Sequence, residues 1–250
     1  MDGVGGAGEM TFIEKLRRKH ENPIESAPVT LAFLGDSVTQ GCFEVYQNGQ
    51  QSLETEFRVA DGYHTKLRHL LELCYPAAPV NMIHAGISGD NVVSGLARVD
   101  RDVIPFHPDL TIVSFGLNDC CRGLEQLEVY KTSLKQVLKK ILDAGSEVIF
   151  MTPNAMADKV SFEVTNQVMK EAYAQMVPYA ADLPVYMDGA RAVCHELGVP
   201  VCDCFRKWEM LKNNGVDVIR LLSNRINHPI EELHWMFAVS LFEMMMKEDV

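Results

Sequence analysis

A serine that attacks a carbonyl needs a rigid support, a base to take its proton, and donors for the oxyanion that forms. Ser37 has the support. Val29-Thr30-Leu31-Ala32-Phe33-Leu34 is an uncharged, apolar and β-branched run that reads as a buried strand. It stops at Gly35-Asp36-Ser37-Val38-Thr39-Gln40-Gly41, a glycine followed by small polar residues. In a parallel α/β sheet the groups just past the carboxyl end of a strand face the ligand crevice, so Ser37 is the candidate nucleophile. The plainer reading is that Asp36, Ser37 or Thr39 caps the next helix, since all three residue types accept bonds from free backbone N–H groups. Only a base and an oxyanion site elsewhere in the chain separate the two readings.

Two more strands end in the same way. Val80 to His84 runs into Ala85-Gly86-Ile87-Ser88-Gly89-Asp90, and Leu110 to Phe115 into Gly116-Leu117-Asn118-Asp119. Most of the eight histidines lie in helices or beside prolines, where a surface or packing role is expected. His228 differs. It sits in Leu221-Leu222-Ser223-Asn224-Arg225-Ile226-Asn227-His228-Pro229, a loop before the closing helix that can reach the same sheet edge.

The elements that must position these groups alternate. A fourth strand is expected at Glu147 to Thr152 and a short fifth at Val199 to Cys202. Helical spacing is expected over 61–73, through Leu96 and Val99 to Ile104, over 127–144, in one or two helices over 164–197 around Pro184, at Trp208 to Leu211, and over 231–247. Strand and helix in alternation predict an α/β fold, a three-layer α/β/α sandwich on a five-stranded parallel sheet with right-handed crossovers. Residues 1–250 read as one domain, with glycine-rich residues 1–8 expected to be disordered and an amphipathic helix within 9–22 packed outside the core. Residues 42–56 read as a polar, irregular connection turning at Asn48-Gly49, a candidate active-site loop.

Composition excludes several classes. The chain has 250 residues, 47% hydrophobic and 23% charged, which suits a soluble globular domain. A net charge of -11 argues against a phosphate-backbone binder, so no nucleic acid partner is expected. No apolar run reaches the roughly 18 residues that span a bilayer, and no basic segment precedes an apolar one at the amino terminus. A cytoplasmic protein without a membrane partner is expected. The seven cysteines are odd in number and lack C-x-x-C spacing, which predicts free thiols. No His/Asp/Glu cluster has metal-ligand spacing, and neither G-x-G-x-x-G after the first strand nor a P-loop is present. No metal or cofactor is expected, and a nucleotide-binding reading of the same layered topology is disfavoured.

Taken in order, the four loops resemble the four blocks of the GDSL esterase/lipase family of SGNH hydrolases. Gly35-Asp36-Ser37-Val38 resembles the nucleophile block, with Val38 where the family name has leucine. Ala85-Gly86-Ile87-Ser88-Gly89-Asp90 resembles the glycine block, Gly116-Leu117-Asn118-Asp119 the asparagine block, and Asn227-His228-Pro229 the histidine block. The blocks span residues 35 to 229. The resemblance implies the flavodoxin-like SGNH fold and a small-molecule ester as substrate. It implies Ser37 as nucleophile, His228 as base, and an oxyanion hole from the backbone N–H groups of Ser37 and Gly89 and the Asn118 amide. Asp36 and Asp119 would support these loops. Arg98 and Arg101 are expected to be solvated or paired, and His234 to be packed.

One block departs from the family. An aspartate usually stands three residues before the histidine, where this chain has Arg225. Asn224, one further back, a backbone carbonyl, or an acid such as Asp217 would then orient His228. We favour a Ser–His dyad with Asn224 as neutral orienting group. The expected activity is hydrolysis of short-acyl esters, with acetylated carbohydrate as a plausible substrate; no long apolar lid is evident. The alternative is a ligand-binding protein of the same fold weakened in turnover, with Arg225 as its supporting feature.

Overall fold

The computed structural model describes residues 10–45 and 54–247. Seven strands are present among them: β1 (Val29–Gly35), β2 (Cys42–Val45), β3 (Glu54–Phe57), β4 (Val80–Gly86), β5 (Leu110–Ser114), β6 (Glu147–Met151) and β7 (Val201–Cys202). The helices are α1 (Phe12–Glu21), α2 (Ser37–Gln40), α3 (Tyr63–Cys74), α4 (Val92–Asp102), α5 (Leu117–Cys120), α6 (Leu127–Asp143), α7 (Gln167–Met176), α8 (Leu183–Leu197), α9 (Cys204–Asn213) and α10 (His234–Met245).

Strands β1 and β5 are apolar through almost every residue because helices cover both faces of a parallel sheet. The five parallel strands lie in the order β4-β1-β5-β6-β7, so the expected sheet is the one observed. Chain direction across the sheet reverses at β1. Right-handed crossovers therefore put α3 on one face, packed on α10, and α4, α6 and α8 side by side on the other. The crevice at such a reversal opens at the carboxyl ends of the two diverging strands, here β1 and β5. Ser37 follows one and Asn118 the other.

Details differ from the sequence expectation for local reasons. Ladder pairing of β7 starts at Val201 because Pro200 has no N–H to give; its carbonyl still accepts from Phe150 N at 3.0 Å. Residues 164–197 hold two helices, with Pro184 in the first turn of α8, where a missing N–H costs nothing. The connection over 42–56 is not irregular throughout. β2 and β3 form an antiparallel pair, Cys42 opposite Phe57. The expected turn at Asn48-Gly49 and the expected disorder of residues 1–8 lie outside the described residues. No helix among the described residues is long and apolar enough to cross a membrane, and all seven cysteines are free thiols.

Arg98 and Arg101 of α4 separate sharply. Arg101 is exposed and pairs with its neighbour Asp102. Arg98 is buried. Its guanidinium donates to Ala85 O at 2.7 Å and Gly35 O at 3.0 Å, the ends of β4 and β1, and pairs with Asp90 at 2.6 Å and Asp102 at 3.2 Å. Removing one partner of a buried pair costs far more than removing an exposed one. Arg98→Met should lose about 3–5 kcal/mol of unfolding free energy in urea, and Arg101→Met less than about 1 kcal/mol. Equal losses would refute the brace.

Candidate active site

The turn after β1 assigns its polar side chains to separate tasks. Asp36 is the N-cap of the single-turn helix α2, its Oδ1 accepting from Val38 N at 3.0 Å. Thr39 Oγ1 meets Tyr63 OH at 3.0 Å. Ser37, in the first helical position, is left with a side chain no cap requires, and its Oγ lies 2.7 Å from His228 Nε2. Both residues are only 5% exposed. Gly86 makes room for this helix, since a Cβ there would stand 2.3 Å from Gln40 N.

His228 is held by a loop folded around one asparagine. Asn224 Oδ1 accepts three backbone N–H groups, from Ile226 at 3.0 Å, Asn227 at 2.9 Å and His228 at 3.0 Å. Ser223 N donates to His228 O at 2.7 Å, closing the loop. Tyr173 OH and Asn154 Nδ2 donate to the carbonyls of Asn224 and Asn227, at 2.5 and 2.7 Å. Arg225 takes the left-handed conformation, with φ 62°, and its side chain points to Glu163 at 2.7 Å and Leu222 O at 2.5 Å.

The expected neutral orienting group meets the imidazole through its nitrogen. Asn224 does lie beside His228 Nδ1, at 3.0 Å, but through Nδ2, a donor, because its oxygen is already spent on three N–H groups. Asp217 caps the turn at Val218–Leu221 by accepting from Ile219 N. The carboxylate at the imidazole is Glu44, which sequence reasoning missed: its Oε2 stands 3.0 Å from His228 Nδ1 and 3.1 Å from Asn224 Nδ2. The hydrogen bond with His228 holds the Glu44 carboxyl below its ordinary value, against an opposing push from burial. Alternation in Cys42-Phe43-Glu44-Val45, ahead of an Asn-Gly pair, was the available signal for a hairpin there. It did not point to His228.

The other two loops are knitted to the first. Ile87 N donates to Gly35 O at 3.1 Å, and Ser88 N to Gln40 Oε1 at 2.7 Å. Gly89 has φ 76°, a conformation that favours glycine, with no atom within 4 Å of where a Cβ would stand. Asn118 Nδ2 spends one hydrogen on Asp90 O at 2.8 Å and keeps another. Asp119 Oδ1 accepts from Val92 N at 3.0 Å, so the Asn118 loop caps the helix that follows Gly89. Candidate oxyanion donors from three strand ends are thus linked through short hydrogen bonds.

Burial shifts two of the carboxyls at this edge. Burial pushes Asp36 up to about 6 and Asp119 to about 7, each partly offset by the backbone N–H it accepts. His234 is pushed down to about 3 by burial, and its Nδ1 accepts from Tyr63 N at 3.1 Å, so it serves packing as a neutral ring. Among the described residues no group of three or more His, Cys, Asp or Glu could hold a metal ion. A carboxyl that titrates near 7 in the fold and near 4 when unfolded stabilises at low pH, and that contribution is lost as pH rises between the two values. Asp119→Asn keeps an acceptor for Val92 N without the charge. Its Tm relative to wild type should rise between pH 4 and pH 8, and an unchanged difference across that range would contradict the assignment.

The comparisons with known proteins fit this geometry. The model of the GDSL-like lipase/acylhydrolase family matches residues 33–236. An acetylxylan esterase of Geobacillus stearothermophilus is 29% identical over 132 residues, which cover 49% of this chain and 58% of that protein. An arylesterase of Vibrio mimicus is 35% identical over 72 residues, covering 29% and 36%. The aligned stretches therefore span less than two thirds of these relatives. Among solved structures, an acetylxylan esterase of Geobacillus stearothermophilus superposes with a TM-score of 0.65 at 20% identity, over 88% of this chain and 95% of that one. An α/β hydrolase from the metagenome of Lake Arreo gives 0.65 at 21% identity, over 88% and 95%. These likenesses establish the fold, and the family match runs from within β1 into α10. The chain belongs to the GDSL-like lipase/acylhydrolase family.

Proposed function

We propose that this chain is a serine carboxylesterase that hydrolyses esters of short acyl groups, acetyl esters of carbohydrates among them. The observation that carries the reading is the 2.7 Å contact between Ser37 Oγ and His228 Nε2, at the crevice where the sheet reverses direction. Ser37 Oγ attacks the ester carbonyl as Nε2 takes its proton. The tetrahedral oxyanion is met by Ser37 N–H, Gly89 N–H and the remaining Asn118 Nδ2 hydrogen. As the intermediate collapses, the imidazolium returns the proton to the leaving alcohol, and an acyl-Ser37 remains. Water then attacks this ester with His228 as base, releasing the acid and restoring Ser37.

A nucleophile and base exposed by only 5% each favour a small acyl group over a long chain. The likeness to acetylxylan esterases in sequence and fold supports the acetyl group and a carbohydrate alcohol. The binding-protein alternative rests on Arg225 standing where the family usually has its acid. Arg225 turned onto Glu163 and Glu44 at the imidazole favour the esterase reading over it.

Purified protein should hydrolyse p-nitrophenyl acetate, and both Ser37→Ala and His228→Ala should drop to background. Asn118→Ala should lose about 10²–10³ in kcat, the usual effect of one oxyanion donor. Rates should fall steadily from acetate to octanoate. A Ser37→Ala protein as active as wild type would overturn the proposal.

A further inference from the structure

Resting on that reading, we propose that Glu44, from the β2–β3 hairpin, is the positioning residue that sets the tautomer of His228 and balances the imidazolium charge. It would replace an acid from the histidine's own loop. The donors and acceptors around Nδ1 fix its protonation. Asn224 presents N–H there and nothing else, because Oδ1 is used three times by the loop backbone. Among the described residues, Glu44 Oε2 is the acceptor within reach, at 3.0 Å. Nδ1 therefore carries the proton and donates it to Glu44, and Nε2 keeps a lone pair for the Ser37 hydroxyl. No proton passes to Glu44 in the cycle. Its charge is felt when Nε2 becomes protonated and the ring turns cationic.

The hairpin is built to hold this carboxylate still. Strand alternation sends Phe43 into the core, where it is 1% exposed and its ring lies 4.8 Å from that of His234. Glu44 then faces the opposite way, toward the histidine loop. Ser223 Oγ donates to Glu44 O at 2.7 Å, tying the backbone of β2 to the loop that carries His228. Asn224 Nδ2 donates to the same Oε2 that faces the imidazole, so the oxygen has one orientation. Asn224 thus braces acid and base, which touch each other directly.

Removing the carboxylate leaves Nδ1 facing a donor alone. The ring must then take the Nε2–H tautomer, in which Nε2 cannot accept the Ser37 proton. Asn224 also offers a way back. Its Nδ2 is 3.0 Å from Nδ1, so Asn224→Asp would put a carboxylate oxygen where that nitrogen stands, while the other oxygen still accepts the loop N–H groups.

The test combines ¹⁵N NMR of the histidine side chains with ester hydrolysis in wild type, Glu44→Ala, Glu44→Gln and the double variant Glu44→Ala/Asn224→Asp. Expected are Nδ1–H for His228 in wild type, Nε2–H in Glu44→Ala, and Nδ1–H again in the double variant. Glu44→Ala should lose about 10³–10⁴-fold in kcat with KM nearly unchanged, and the double variant should recover at least about tenfold. Glu44→Gln keeps the contacts to Asn224 and Ser223 while losing the charge, and should be as stable as wild type yet slower. An unchanged His228 tautomer in Glu44→Ala, wild-type kcat in Glu44→Gln, or no recovery in a folded double variant would each overturn the role of Glu44. The NMR arm needs no turnover, so a wild type that hydrolyses no ester overturns the esterase reading alone.

Discussion

The guanidinium of Arg98 is the contact on which the functional edge of the sheet depends. The ends of parallel strands leave carbonyls pointing into the crevice, and a buried carbonyl without a donor costs free energy. Arg98 supplies donors to Gly35 O and Ala85 O at once and carries its charge to Asp90 and Asp102. A buried ion pair adds little net stability compared with apolar packing. Its value here is positional: Ser37 lies two residues beyond Gly35, and Gly89 one residue before Asp90. One side chain thus sets the spacing between the loops that carry Ser37 and Gly89.

The histidine loop solves the same problem with an asparagine in place of an arginine. Asn224 gathers three backbone N–H groups on its oxygen, and its nitrogen bridges to Asn227 Oδ1 and Glu44. Tyr173 and Asn154 satisfy the carbonyls on the loop's outer side. This polar network holds the loop in the geometry that puts His228 Nε2 2.7 Å from Ser37 Oγ. Arg225 belongs to the outer wall of this loop. Its left-handed backbone turns the side chain away from His228 and onto Glu163, so the residue at the family's acid position takes no part at the imidazole.

Much of the architecture was legible from local pattern. Strand β1 is a buried apolar run closed by Gly35-Asp36, and β5 is another, so both strands and the turns after them could be read directly. The boundary differences are local as well: Pro200 delays β7, and Pro184 starts α8, the second of the one or two helices expected there. The hairpin of β2 and β3 was harder to see. Cys42 to Val45 is only four residues long and carries a charge, so its period-two alternation is too short to stand out from a polar loop. Arg98 and Arg101 are three apart in one helix and alike in the sequence, yet one is buried and the other exposed, because only Arg98 lies beneath the ends of β1 and β4.

The sequence by itself determined the strands, the small polar turns that close them, the order of four short blocks, and so the family and the sheet edge where chemistry belongs. Those properties reside in neighbouring residues and in periodicity, which a chain states without folding. Which carboxylate faces His228 was decided by tertiary structure alone. Glu44 and His228 are 184 residues apart, and no spacing rule links a four-residue hairpin strand to a loop near the other end of the chain. They meet because β1 lies inside the sheet, so the hairpin after Ser37 emerges at the edge to which the last loop returns. There Asn224 has its oxygen already committed, and among the described residues Glu44 is the acceptor at the imidazole.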